Sequence, residues 1–372
     1  MNFKDYKYER PDMGSFGDKF NHLLSEFESS GNAAGQYEVL LRINKLRKDF
    51  ETMRTLASIR YTINTKDKFY DEEHDFFDEV NPGYTKLRYE LYRILTASRF
   101  RKELEEKTGS QLFRIAEGMM RTFRPEIIDD MKIENKLVTE YVKLIASAKI
   151  MFEGEERNIA GMAPFLESEN RALRKNANEI RWKFFEENER EFDRIYDELV
   201  KVRNRMAVKL GYKNYVKLGY DLMGRTDYSL EDVAGFRDSV KEFIVPVTLE
   251  MNAMRKKRIG LDELFYYDGS FNFRDGNPTP KGSPEWIKEK AQKMYDELSE
   301  DTGKFMHFMN DHDLLDLYNR KDKAAGGYCT YIANYESPFI FVTRNPNLNR
   351  FRFRQEHRVT GEALTGIPHQ NY

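Results

Sequence analysis

Apolar residues recur at helical spacing along most of the chain. Over residues 86–107 (KLRYELYRILTASRFRKELEEK), Leu87, Leu91, Ile94, Leu95 and Phe100 form one stripe, which predicts a single amphipathic helix. Over residues 186–210, Phe192, Ile195, Leu199, Val202 and Met206 alternate in steps of three and four. Gly211 follows where a left-handed residue closes a helix. Ser229 with Asp232 three residues on fits a capping box, and Pro246 inside the helix it opens should kink or divide that helix. Ser283, Pro284 and Glu285 supply an N-cap, a first-turn proline and a first-turn acid for another helix. Residues 265–282 (FYYDGSFNFRDGNPTPKG) lie between these two and read as a loop or lid-like excursion.

Strand character gathers near the end. Over residues 327–333, Tyr328, Thr330 and Ile332 alternate with Cys329 and Tyr331, and residues 338–342 are a β-branched and aromatic run. Residues 334–337 suit a short turn, so the two runs read as a hairpin or as two edge strands. The fold class is therefore mostly α, with a small β-ribbon near residues 327–342.

Charged residues make up 33% of the chain and leave a net charge of −2, which argues against a generic nucleic-acid or anionic-membrane binder. The high aromatic content, 22 Tyr and 27 Phe, reads first as packing between helices and second as a peptide-binding groove. Cys329 is the single cysteine, so no intrachain disulfide forms and a reducing, cytoplasmic setting is expected. No apolar leader and no long apolar run is present, so no membrane partner is expected.

Three blocks carry a resemblance: KDYKYERPD near the start, KLGYKNYVKLGYDLMGRTDYSLEDV over 209–233, and DHDLLDLYNRKDKAAGGYCTYIANYESPFIFV over 311–342. Through them the chain resembles the oligoendopeptidase F-like zinc metallopeptidases, relatives of thimet oligopeptidase, up to about residue 342. The resemblance implies a multi-helical fold in which two helical halves enclose a channel. It divides the chain into an N-terminal helical region (1–185), the front of a catalytic domain (186–342) and a divergent tail (343–372). A small sheet would line the channel, and its edge would pair with the backbone of an extended oligopeptide. The substrate-binding candidates are accordingly Gly326, Gly327, Tyr328, Cys329, Thr330 and Tyr331, the two glycines allowing close backbone approach.

The chemistry of hydrolysis is harder to place. A catalytic zinc needs three protein ligands and an open position, and a His-Glu-x-x-His helix supplies two of them plus a general base. No such motif occurs in the chain. His307 and His312 stand about 140° apart around a helix and cannot share a metal face. His312 with Asp313 and Asp316 reads as a polar helix end, and His22 and His74 read as surface residues amid acids. His357 and His369 fall in the tail. Cys329 has no histidine implicated as its base. No catalytic or metal-binding residue is assigned, and zinc, the cofactor of the complete family enzyme, is not expected on this chain.

The tail holds five arginines and no lysine. It reads either as a genuine divergent terminus or as a frameshift: residues 355–360 can be encoded so that a one-base shift gives Gly-Thr-Ser-Gly-Asp, a string the family carries ahead of its zinc helix. The leading expectation is an inactive fragment of a zinc oligoendopeptidase that cuts short peptides through metal-activated water. The alternative is a non-catalytic peptide-binding or scaffold protein; a plain helical interaction protein comes third. Uncovered channel-facing apolar surface would favour aggregation.

Overall fold

The computed structural model describes residues 1–278 and 281–344. Expectations for residues 345–372, the bulk of the tail, lie outside the described residues.

The helical periodicity produces α1 (Met13–Ser29), α2 (Ala33–Ile63), α3 (Lys68–Thr96), α4 (Arg101–Thr108), α5 (Ser110–Thr122) and α6 (Ile128–Ala146). A short antiparallel hairpin, β1 (Ile150–Phe152) with β2 (Glu155–Arg157), follows. Next come α7 (Ala163–Leu166), α8 (Arg171–Glu187), α9 (Glu189–Lys209), α10 (Tyr215–Leu222), α11 (Leu230–Ser239), α12 (Val245–Ile259), α13 (Pro284–Leu298) and α14 (Glu300–Asp311). The chain then forms β3 (Leu315–Tyr318), β4 (Gly327–Ile332) and β5 (Ser337–Arg344). The mostly helical class is as expected.

The aromatic content is spent largely on packing. Phe16, Phe20, Phe50, Phe77 and Tyr84 fill the main core between α1, α2 and α3, with the Phe50 and Tyr84 rings 4.4 Å apart. A second core joins Phe3, Tyr6, Leu56 and Ile59 to Met309, Ile332, Phe339 and Phe341. That core draws on both ends of the described chain, and it holds the sheet.

Two helices break where the stripe does not show it. The stripe over 86–107 is cut at residues 97–100, because the Ser98 hydroxyl accepts the Phe100 N–H (3.0 Å) and donates to Gln36 Oε1 (2.5 Å). A serine that satisfies the backbone locally competes with the helix. The helix over 186–210 begins at Glu189, since Asn188 caps α8 by donating its side-chain amide to the Phe184 carbonyl at 2.7 Å. Gly211 closes α9 at φ +87°, as its position predicts.

The Ser229–Asp232 capping box forms, and Ser283 accepts the Trp286 N–H at the start of α13. The division at Pro246 is also present, as a π-helical turn over Val240–Ile244 in which the Val245 N–H reaches back to Val240. Around this turn Phe236, Phe243, Ile244, Leu249, Met251 and Met254 are all exposed. An apolar face of this extent is larger than scattered surface leucines. The purified chain is therefore expected to bind a hydrophobic dye and to self-associate at micromolar concentration. Serine at Phe243, Leu249 and Met254 should return it to monomer in sedimentation without lowering its melting point, because these side chains are already in water.

Candidate functional site

The three C-terminal strands form one sheet in the order β3-β5-β4, with β3 parallel and β4 antiparallel to β5. The expected ribbon is thus the larger part of a three-stranded sheet. β3 escaped notice because LDLY is too short to show an alternation. Ile332 faces Ser337 and Gly327 faces Val342 across the hairpin. The Thr343 N–H donates to the Gly326 carbonyl at 2.8 Å, which sets the phase of the ladder. Hydrogen-bonded pairs then fall at Tyr328–Phe341 and Thr330–Phe339. The intervening residues, Gly327 and Tyr331 among them, direct their N–H and C=O groups away from β5. Pro338, opposite Tyr331, lacks a donor only on the β3 side, where pairing starts at Leu315–Ile340.

Three anchors hold this sheet. The N-terminal block clasps it: the Phe3 ring lies 4.4 Å from Phe339, Tyr6 stacks on Tyr335 at 3.8 Å and 3°, and the Tyr6 hydroxyl meets Ser337 Oγ at 2.9 Å. Helix α2 docks alongside, with the Ala324 N–H on the Thr62 carbonyl (2.9 Å) and the Asn334 N–H on Thr52 Oγ1 (3.0 Å). The third anchor is Lys323, whose side chain is fully enclosed. Its Nζ donates to Asp316 Oδ1 (2.9 Å) and to the carbonyls of Asp316 (3.1 Å), Tyr318 (2.9 Å) and Val342 (2.8 Å). Burial pulls this ammonium down to about 8 while Asp316 opposes the shift, so the charge persists at neutral pH.

The six candidate residues occupy the turn into β4 and the strand itself. Gly326 sits at φ +114°, a conformation that side chains rarely adopt, so the turn itself demands glycine. At Gly327 an added Cβ would stand 3.3 Å from the Phe341 carbonyl, so its close approach is to β5. Tyr328 points inward, its ring stacked 4.9 Å from Phe341 and its hydroxyl 2.6 Å from Thr62 Oγ1. Cys329 and Thr330 are half-buried. Tyr331 is 43% exposed. It forms one wall of a groove of about 460 Å³, lined also by Tyr37, Leu41, Asn44, Lys48 and Lys107. Sequence inspection missed this groove, because its α2 wall reads as an ordinary solvated helix face.

The histidines do not assemble at the sheet. His22 is exposed, as expected. His312 binds the Phe308 carbonyl through Nδ1 (2.8 Å), and His307 Nε2 sits 3.2 Å from Asp296. Asp316, expected at a polar helix end with His312, instead pairs with Arg320 and Lys323. The surface reading of His74 is corrected: the ring is largely covered, stacked 4.2 Å from Tyr61, because α3 turns it toward α2.

Comparison with known proteins places this geometry. Residues 3–123 match the peptidase M3 N-terminal domain, and residues 165–350 match peptidase family M3. The chain belongs to peptidase family M3. It is 22% identical over 346 residues to oligopeptidase PepF of Bacillus subtilis (strain 168), covering 84% of this chain and 49% of that protein. Among solved structures it resembles PZ peptidase A with inhibitor 2, at 47% identity and TM-score 0.97, over all of this chain and 67% of the other. A Bacillus anthracis str. Ames protein described as an oligoendopeptidase F is 45% identical, with TM-score 0.96, over all of this chain and 69% of its own. This M3 chain thus spans about half the length of the curated relative.

Family M3 is zinc-dependent in general. The residues present here do not fit that centre: no two of the six histidines stand four apart, and His312 is committed to a carbonyl. No helix among the described residues is long and apolar enough to cross a membrane.

Proposed function

We propose that this chain carries the peptide-gripping edge of a cytoplasmic M3 oligopeptidase, with β4 as the strand to which an extended peptide adds. The observation that supports this most directly is the phase of the β4–β5 ladder, which turns the main chain of Gly327 and Tyr331 outward. Main-chain pairing binds peptides irrespective of side chain, as an oligopeptidase with broad substrates requires. Tyr331 adjoins the groove bearing Lys48 and Lys107, which gives a peptide laid along β4 a place for a side chain.

In the family's reaction a metal-activated water attacks the peptide carbonyl. No step of that reaction is assigned to residues of this chain, and the chain by itself is proposed not to hydrolyse peptides. A non-catalytic peptide-binding protein built on the same edge is the second reading. Both share the grip and differ in the chemistry.

The grip is tested at Tyr331. Proline there removes an outward N–H without touching the bonds to β5, so the fold should persist. Affinity for a fluorescent oligopeptide should fall by about tenfold, the worth of one strong hydrogen bond. Equal affinity of the proline variant and the parent would remove β4 as the binding edge. Chelator-sensitive cleavage of a quenched peptide by the chain alone would overturn its proposed inactivity.

A further inference from the structure

On α3 the residues Asp71, His74, Asp75 and Asp78 stand at i, i+3, i+4 and i+7 and so share one face of the helix. It is not the face that carries Phe77, Tyr84 and Leu91 into the core: Asp71, His74 and Asp78 are half-buried and Asp75 is exposed. One atom from each of His74, Asp75 and Asp78 lies within 4.8 Å of the others.

We propose that His74, Asp75 and Asp78 hold a divalent cation, zinc or manganese by donor type, in the seam between α2, α3 and α6. This site lies apart from the β4 edge and does not depend on the peptide-binding reading. An imidazole with carboxylates is a donor set suited to such ions, and the exposed Asp75, now 3.8 Å from Lys143 Nζ, would exchange that ion pair for the metal to close the cluster to ligand distances.

A second observation points to the same ligand. Tyr61 is 1% exposed, its ring stacks on His74, and its hydroxyl is buried with no hydrogen-bond partner among the described residues. Burial first, then the charges of Asp71, Asp75 and Asp78, raises the pKa of that phenol, so its hydroxyl lies near those carboxylates. His74 Nδ1 is buried and unpartnered as well, 3.6 Å from Asp78 Oδ2 and so beyond hydrogen-bond reach.

The charges fit. Three carboxylates, those of Asp71, Asp75 and Asp78, act on His74 together with one ammonium, that of Lys143, which pairs with Asp71 and Asp75. Helix α6 supplies the outer support: Thr139 Oγ1 donates to Asp78 Oδ2 at 2.6 Å, and Lys143 Nζ sits 2.7 Å from Asp71.

The test titrates the chelator-stripped chain with manganese and, separately, with zinc. One equivalent should bind, with the melting point rising on the order of 4 °C at a hundredfold excess over Kd. His74→Phe, which keeps the stack on Tyr61, and Asp78→Asn, which keeps an acceptor for Thr139, should each weaken binding at least about tenfold. If the phenylalanine variant fails to fold, the asparagine variant decides. Tyr61→Phe should weaken binding while leaving the metal-free melting point unchanged or higher, because it deletes the orphan hydroxyl. No saturable binding of either ion, or binding that survives Asp78→Asn, would overturn the site.

Discussion

Replacing Lys323 with methionine lowers the stability of the chain by about 3–5 kcal/mol, the range found when one member of a buried ion pair is removed. The substitution keeps length and apolar stem and deletes only the charge and its donors. What remains is a half-buried Asp316 held by Arg320 alone, and carbonyls of Asp316, Tyr318 and Val342 that lose a shared donor. Those carbonyls belong to β3 and β5, so the damage falls on the sheet that positions β4. Water can reach the Arg320 side of the pair but not the enclosed Lys323 side. Denaturant unfolding followed by circular dichroism measures the loss. Peptide affinity at low temperature, where the variant is still folded, should fall as well. A loss below about 1 kcal/mol would mean that the three carbonyls find water, and that Lys323 is not the pin.

Much of the fold was legible because helices advertise themselves by period. The stripe of Phe192, Ile195, Val202 and Met206, the Ser229 capping box and the Ser283 cap each describe a local event that later packing leaves untouched. What failed was whatever depended on a distant partner. The break after Thr96 is decided by Ser98 reaching Gln36, which is 62 residues away. β3 exists because β5 lies beside it. The block KDYKYERPD, notable in sequence only for its family resemblance, proves to be the clasp in which Tyr6 stacks on Tyr335.

The candidate site divides along the same line. Alternation identified β4, but which of its main-chain groups face outward follows from one bond, Thr343 to Gly326, that no periodicity encodes. The two glycines were anticipated for close backbone approach. The structure gives them different reasons, an unusual φ at Gly326 and contact with β5 at Gly327. His74 was misread because its neighbours in sequence are acids, whereas its neighbours in space include the Tyr61 ring.

The second large effect is expected in the stretch over 265–282, whose composition reads as a loop or lid-like excursion. Its described start, over 265–271, is pinned. Asp268 is 0% exposed and Arg174 1% exposed, and their side chains meet at 2.8 Å. Arg171 adds a further bond to Asp268 at 2.8 Å, the Phe265 N–H another at 3.0 Å, and the Arg174 guanidinium lies 4.0 Å from the centre of the Phe271 ring. Arg174→Met therefore leaves a buried carboxylate with its outer partners only, and should cost about 3–5 kcal/mol. The double change Arg174→Met with Asp268→Leu should recover part of that loss, since neither charge is then stranded. The pH dependence carries an independent signature. Burial pushes the Asp268 carboxyl up, but the hydrogen bonds from Arg171 and Arg174 outweigh it and hold the group at about 2. An unfolded aspartate titrates near 4, so the unfolded chain binds more protons between roughly pH 4 and 2. The stabilisation is complete above that window and drains away as pH falls through it, by on the order of 2–3 kcal/mol. Acid unfolding of the parent and of the double variant should converge below about pH 2 and separate above pH 4. Parallel acid curves for the two would show that Asp268 keeps its ordinary titration and that the loop is held by something other than this pair.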